Sequence, residues 1–128
     1  MNFASDNAAG IAPQILAAIS RANSGAALAY GGDPWTQGVE ARFAEIFERE
    51  VAVFLVPTGT AANALALAHL TPPWGAVLCH NEAHIATDEC GAPEFFGGGI
   101  KLVGLTGEAG KIAANTSTAR ASAMQSRA

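Results

Sequence analysis

Three short apolar runs set the limits on what this chain can fold into. VAVFLV (51–56), AVLC (76–79) and IKLVGL (100–105) are too short for buried helices, and the first is rich in β-branched residues. Each reads as a buried strand. Between them lie segments with helical spacing or composition, and strands that alternate with helices predict an α/β fold with a mostly parallel sheet. Ligands in such folds gather at the carboxyl ends of the strands.

The helical segments carry their own start and stop signals. Pro13 at a first helical position opens 13–23, where Ile15, Leu16 and Ile19 share a face and Asn23-Ser24-Gly25 ends the run. After AYGGDPW, Thr36 is expected to cap a second helix whose Val39, Phe43, Ile46 and Phe47 form an apolar stripe. Arg42, Glu45, Glu48 and Arg49 fill its solvated side. The alanine- and leucine-rich run 60–70 predicts a third helix, and Pro72-Pro73-Trp74-Gly75 breaks the chain after it. A short helix is expected within 85–96, before Gly97-Gly98-Gly99. From Ala113 onward the composition is small and polar without apolar periodicity, which predicts a disordered low-complexity tail over 113–128.

A length of 128 residues suits one domain with a modest core. Half of the residues are hydrophobic and only 14% are charged, a balance that leaves apolar surface for a partner. The formal charge of -4 offers no basic patch for nucleic acid or anionic lipid. The N-terminus lacks a signal-peptide pattern, and no apolar stretch reaches the roughly 18 residues of a membrane span, so a cytoplasmic location is expected. Cys79 and Cys90 fit neither a disulfide framework nor a zinc site and are read as free thiols.

Two places carry candidate chemistry. The turn Pro57-Thr58-Gly59-Thr60 precedes a helix start, where unpaired N–H groups and the positive end of the helix dipole favour an anion, phosphate above all. A plain helix cap by Thr58 or Thr60 would need the same residues. His80 and His84 flank Asn81-Glu82-Ala83 in a loop at a strand's carboxyl end, where imidazole can stack on a ring or move a proton. Asp88, four residues past His84, is placed to hydrogen-bond that ring if the segment is helical, while Asp88 and Glu89 as solvated helix-start carboxylates is the simpler alternative. His69 is expected to be packed or capping at the end of its helix. TGEAGKI is not a phosphate-binding P-loop: Leu105 stands where that motif needs a glycine, and Ile112 where it needs a hydroxyl. A surface hairpin turn is expected there.

FASDNAAGIAP, AYGGDPWT, VFLVPTGTAANALALA and CHNEAHIATDECGAPEFFGGGIKLVGL stand in the order and spacing of the low-specificity L-threonine aldolases, within the β-eliminating lyases. The chain resembles that family over residues 2–112. The resemblance implies an α/β chain forming the early part of the large domain of an aspartate-aminotransferase-like, fold type I enzyme. It implies pyridoxal 5′-phosphate as cofactor, its phosphate at Thr58, Gly59 and Thr60. His84 would stack on the pyridine ring and act in proton transfer; Ser5 and Tyr30 would serve the substrate, Ser5 at its carboxylate, with Asp33 close to the site. The implied reaction is retro-aldol cleavage of a small β-hydroxy-α-amino acid, threonine to glycine and acetaldehyde, in a homo-oligomer.

The family's cofactor-bearing lysine, its pyridine-pairing aspartate and its carboxylate-binding arginine lie beyond the region of resemblance. Lys101 and Lys111 are the lysines of this sequence, and neither has the family's context. The expectation is a truncated N-terminal portion, loosely folded and inactive alone, whose tail fits a shifted or prematurely ended reading frame. Two alternatives stand beside it: a noncatalytic interaction module that pairs with a full-length relative, and a small complete enzyme using Lys101 or Lys111.

Overall fold

A computed structural model of the chain describes residues 8–125, so Ser5 lies outside the described residues. Two compact units divide it, Met1–Phe54 and Leu55–Ala128.

In the first unit, α1 (Pro13–Ala22) starts on Pro13, whose missing N–H costs nothing at a helix entrance. Ile15, Leu16 and Ile19 are about half exposed. α2 (Pro34–Phe47) begins earlier than the expected Thr36 cap, because Asp33 is the cap and Pro34 the first helical residue. Thr36 is the donor rather than the cap: its N–H gives a 2.8 Å bond to Asp33 Oδ1, and its hydroxyl a 2.7 Å bond to Oδ2. These two bonds, the hydroxyl's the stronger influence, favour the charged carboxylate and hold Asp33 below its usual pKa. Phe43 and Phe47 stack with ring centroids 6.1 Å apart on one face of α2.

The run 51–56 is not a strand. A strand exists only through ladder partners, and among the described residues none pairs with it; Phe54 and Leu55 stand largely exposed. α3 (Gly59–Leu70) follows, capped by Thr58, whose Oγ1 accepts the Ala61 N–H at 3.1 Å.

The sheet of the second unit pairs β1 (Ala76–His80) with β2 (Lys101–Leu105) in parallel, Ala76 opposite Lys101 and His80 opposite Leu105. Parallel strands need a crossover. Here it holds two short helices, α4 (His84–Thr87) and α5 (Ala92–Phe96), instead of the single one expected within 85–96. Cys90 (φ 51°) and Gly91 (φ 73°) are both left-handed, and two such residues in a row end a helix. α5 packs against α3. Ala64, Pro93 and Ile100 are nearly or wholly buried, with Cys79, Val103 and Leu105 beside them in the core. Gly97 lets Ile100 in: a Cβ there would stand 2.7 Å from the Ile100 side chain and from the Pro93 carbonyl.

After β2, Ala109 and Gly110 adopt left-handed conformations and Glu108 bridges Lys111, so TGEAGKI is the expected tight hairpin turn. Where composition predicts a disordered tail, Ala114–Gln125 forms helix α6. Alanine needs no apolar stripe to favour a helix. The hydroxyls of Ser117 and Thr118 bond back to the Ala114 carbonyl, each at 2.9 Å, instead of competing for N–H groups. Among the described residues no helix is long and apolar enough to cross a membrane.

Candidate functional site

The first turn of α3 presents N–H groups to solvent. Thr58 satisfies the Ala61 N–H with its side chain and the Ala62 N–H with its carbonyl, whereas Gly59 and Thr60 donate to no acceptor among the described residues. These are the orphan donors of a helix start, on the positive end of its dipole. A Cβ on Gly59 would meet nothing within 4 Å, so the turn is open to an approaching group. Both expectations for this turn are compatible with that geometry, since Thr58 caps the helix while its neighbours stay free.

His84 opens α4, one short turn past the carboxyl end of β1. Its Nδ1 lies 2.8 Å from Glu89 Oε1, and the same oxygen accepts a 2.6 Å bond from Asn63 Nδ2. Asn63 sits one helical turn past Thr60 on α3. A single carboxylate oxygen thus ties the His84 ring to the first part of α3. The Glu89 side chain is fully buried, while that of His84 is two-thirds exposed. With the carboxylate as acceptor, Nδ1 carries the proton and Nε2 is the free ring nitrogen.

Asp88 does not hold the ring, contrary to the i+4 expectation. It ends α4, where its carboxylate accepts the Thr87 hydroxyl at 2.7 Å. A one-turn helix stops before i+4 can face the ring, and the next residue turns inward instead. Glu89 and Asn63 were legible in the sequence only as ordinary polar residues; no spacing rule marks a pair 26 positions apart. Glu89 also differs from the expected solvated carboxylate, since it is buried.

His80 is held differently. Its Nδ1 accepts the Glu82 N–H at 3.1 Å, a bond that stiffens the turn after β1 and places the ring proton on Nε2. His69 is exposed in the last turn of α3, so it is not packed. In the first unit, Tyr30 is fully exposed at φ 57°, next to Gly31 at φ 78°, and Asp33 is engaged in capping α2. The structure thus brings His84 close to the helix that starts at Thr58, Gly59 and Thr60, within the second unit.

An open cleft of about 520 Å³ lies between the hairpin turn and the start of α6, lined by Thr106, Gly107, Lys111, Ile112 and Thr116 among others. None of the expected site residues lines it. Cys79 is buried, which pushes its thiol up in pKa with a smaller contribution from the Glu94 charge, and Cys90 is exposed. Among the described residues no group of three or more His, Cys, Asp or Glu is arranged to hold a metal ion.

Comparison with known proteins bears on this arrangement. Residues 2–126 match the family model described as beta-eliminating lyase. The chain is 48% identical over 110 residues to the low specificity L-threonine aldolase of a Pseudomonas species, covering 86% of this chain and 32% of that protein. It is 49% identical to the corresponding Pseudomonas aeruginosa enzyme with the same coverage. Among solved structures, Leishmania major threonine aldolase superposes with a TM-score of 0.78 at 29% identity, over 88% of this chain and 32% of that one. The chain therefore spans about a third of the length of these relatives, and its α/β fold is the early part of the large domain of an aspartate-aminotransferase-like enzyme. By the extent of the family match and the shared backbone, the chain belongs to the beta-eliminating lyase family.

Proposed function

We propose that this chain supplies the cofactor-binding face of a threonine-aldolase-type lyase, with residues 1–112 as part of its pyridoxal-phosphate domain. The reading is carried by one observation: the Glu89 oxygen that joins Asn63 to His84 ties an exposed imidazole to the helix whose first turn offers free N–H groups. The residues fit the cofactor, because the open side of Gly59 leaves room for a phosphate at those donors. Relatives named as low specificity L-threonine aldolases support the same reading.

In this role Gly59 and Thr60 would hold the phosphate through backbone N–H groups, while Thr58 keeps the helix start in shape. The exposed face of His84 would be available to the pyridine ring, and its free Nε2 would be placed to take or return the proton of the substrate β-hydroxyl. Bound pyridoxal 5′-phosphate supplies the electron sink for the pair released when the Cα–Cβ bond of a β-hydroxy-α-amino acid breaks. By the family resemblance alone, Ser5 would serve the substrate carboxylate and Tyr30 the substrate. Threonine would give glycine and acetaldehyde, in a homo-oligomer located in the cytoplasm.

Turnover is not expected of these 128 residues by themselves. Lys101 starts β2 at the amino end, roughly 13 Å along the strand from the end that adjoins His80 and its loop. Lys111 belongs to the hairpin turn. Titration of the chain with pyridoxal 5′-phosphate, followed by tryptophan fluorescence, should show saturable binding that His84→Ala weakens. After borohydride reduction, peptide mapping should find no uniquely modified lysine. Absence of binding at millimolar cofactor would overturn the proposal.

The exposed apolar residues of α1, Ile15, Leu16 and Ile19, favour a second reading, an interaction module that pairs with a related subunit. A chain that remains monomeric and ignores a full-length threonine aldolase in sedimentation would count against it.

A further inference from the structure

We infer that Glu89 is a positioning residue that sets the tautomer and orientation of His84, with Asn63 as the strut that steadies its carboxylate. The part of this inference that concerns the cofactor rests on the function proposed above; the part that concerns the ring does not.

A carboxylate with a fully buried side chain is costly unless donors reach it. Both of its donors, the Asn63 amide and the His84 Nδ1–H, converge on Oε1, while Oε2 is buried without a partner. For stability alone that is a poor arrangement, since an apolar side chain of similar volume would carry no unsatisfied oxygen. What the arrangement does achieve is directional. An acceptor fixed in the interior takes the proton-bearing nitrogen inward and leaves Nε2 as a base on the exposed part of the ring. Asn63 rises from the same helix that starts at the free Gly59 and Thr60 N–H groups, so the ring is indexed to that turn through two hydrogen bonds. The rotation of an exposed imidazole, otherwise set by solvent, is set here by the interior.

The test reads the ring directly. Long-range 1H–15N correlation spectra of the 15N-labelled chain near pH 8 should show neutral His84 mainly as the Nδ1–H tautomer. Glu89→Ala should shift the tautomer ratio toward Nε2–H by about fivefold or more, the weight of one charge-assisted hydrogen bond on a partly exposed group. Glu89→Gln, which keeps an acceptor oxygen at the same place, should retain the wild-type tautomer. If Glu89→Ala fails to fold, the wild-type and Gln spectra decide the matter. A wild-type ring in the Nε2–H form, or a ratio untouched by Glu89→Ala, would overturn the inference. Pyridoxal 5′-phosphate titration of the same samples separates the two claims. Cofactor binding with an Nε2–H ring sinks the positioning role and spares the function, and an Nδ1–H ring with no cofactor binding does the reverse.

Discussion

Replacing Thr58 by aspartate should separate two jobs that the first turn of α3 performs at once. Thr58 Oγ1 accepts the Ala61 N–H at 3.1 Å. Loss of such a cap in Thr58→Ala should cost about 1 kcal/mol. That corresponds to a fall in melting temperature of roughly 4–8 °C for a domain of 60–100 residues. Aspartate is at least as good a cap as threonine, and its charge is favoured by the dipole, so Thr58→Asp should melt at or above the wild-type temperature. Phosphate binding should respond in the opposite sense. A carboxylate about 4 Å from a doubly charged phosphate at an exposed turn is repelled by about 2 kcal/mol in water, which is about thirtyfold in affinity. The assay is circular-dichroism melting paired with fluorescence titration of pyridoxal 5′-phosphate at low salt, where screening is least. The Ala variant should lose stability and keep most of its affinity, whereas the Asp variant should keep stability and lose affinity. If Thr58→Asp binds the cofactor as tightly as wild type, the phosphate does not sit at this turn and the reasoning fails.

Ile100 is 1% exposed, and Ile100→Ala should destabilise the second unit by about 2–5 kcal/mol against about 0.5–1.5 for Ile100→Val; urea unfolding of the two variants should rank them in that order. Gly97→Ala drives a methyl into Ile100 and the Pro93 carbonyl, and should cost about 1–3 kcal/mol by the same measurement. Because the folded pKa of Asp33 is depressed, its contribution to α2 is present above the unfolded value near 3.8 and is lost as pH falls through the folded value. The Thr36 amide resonance should report that loss at acid pH, and Asp33→Asn should abolish the titration while retaining the helix. Iodoacetamide at pH 8 should alkylate exposed Cys90 well before Cys79, whose thiol is buried and raised in pKa; equal rates by mass spectrometry would mean that the β1 core opens freely.

Some of this molecule was decided by local rules and therefore readable in the chain itself. Pro13 opens α1, Thr58 caps α3, and the Ala109-Gly110 turn is a hairpin, each because neighbouring residues settle it. The cap of α2 is equally local, yet the expectation put it at Thr36; the signal lay in Asp33-Pro34, because a proline just inside a helix marks the residue before it as the cap. The apolar run 51–56 marks the opposite limit. Its composition suits a strand, but hydrogen-bonding partners make a strand, and composition does not state whether they are present. The tail shows that limit in reverse, since helix α6 forms over a run in which no apolar periodicity marks it.

At the candidate site the division is sharper. The sequence by itself determined the open helix start at Gly59 and Thr60 and put a histidine just past the carboxyl end of β1, because both follow from short stretches of chain. Only the tertiary structure decided which carboxylate holds that histidine. The choice of Glu89 over Asp88 depends on where a one-turn helix stops and on the packing of α3 against α5, which brings Asn63 to the same oxygen. Contacts between residues far apart in sequence are set by the packing of whole elements, and no local pattern encodes them.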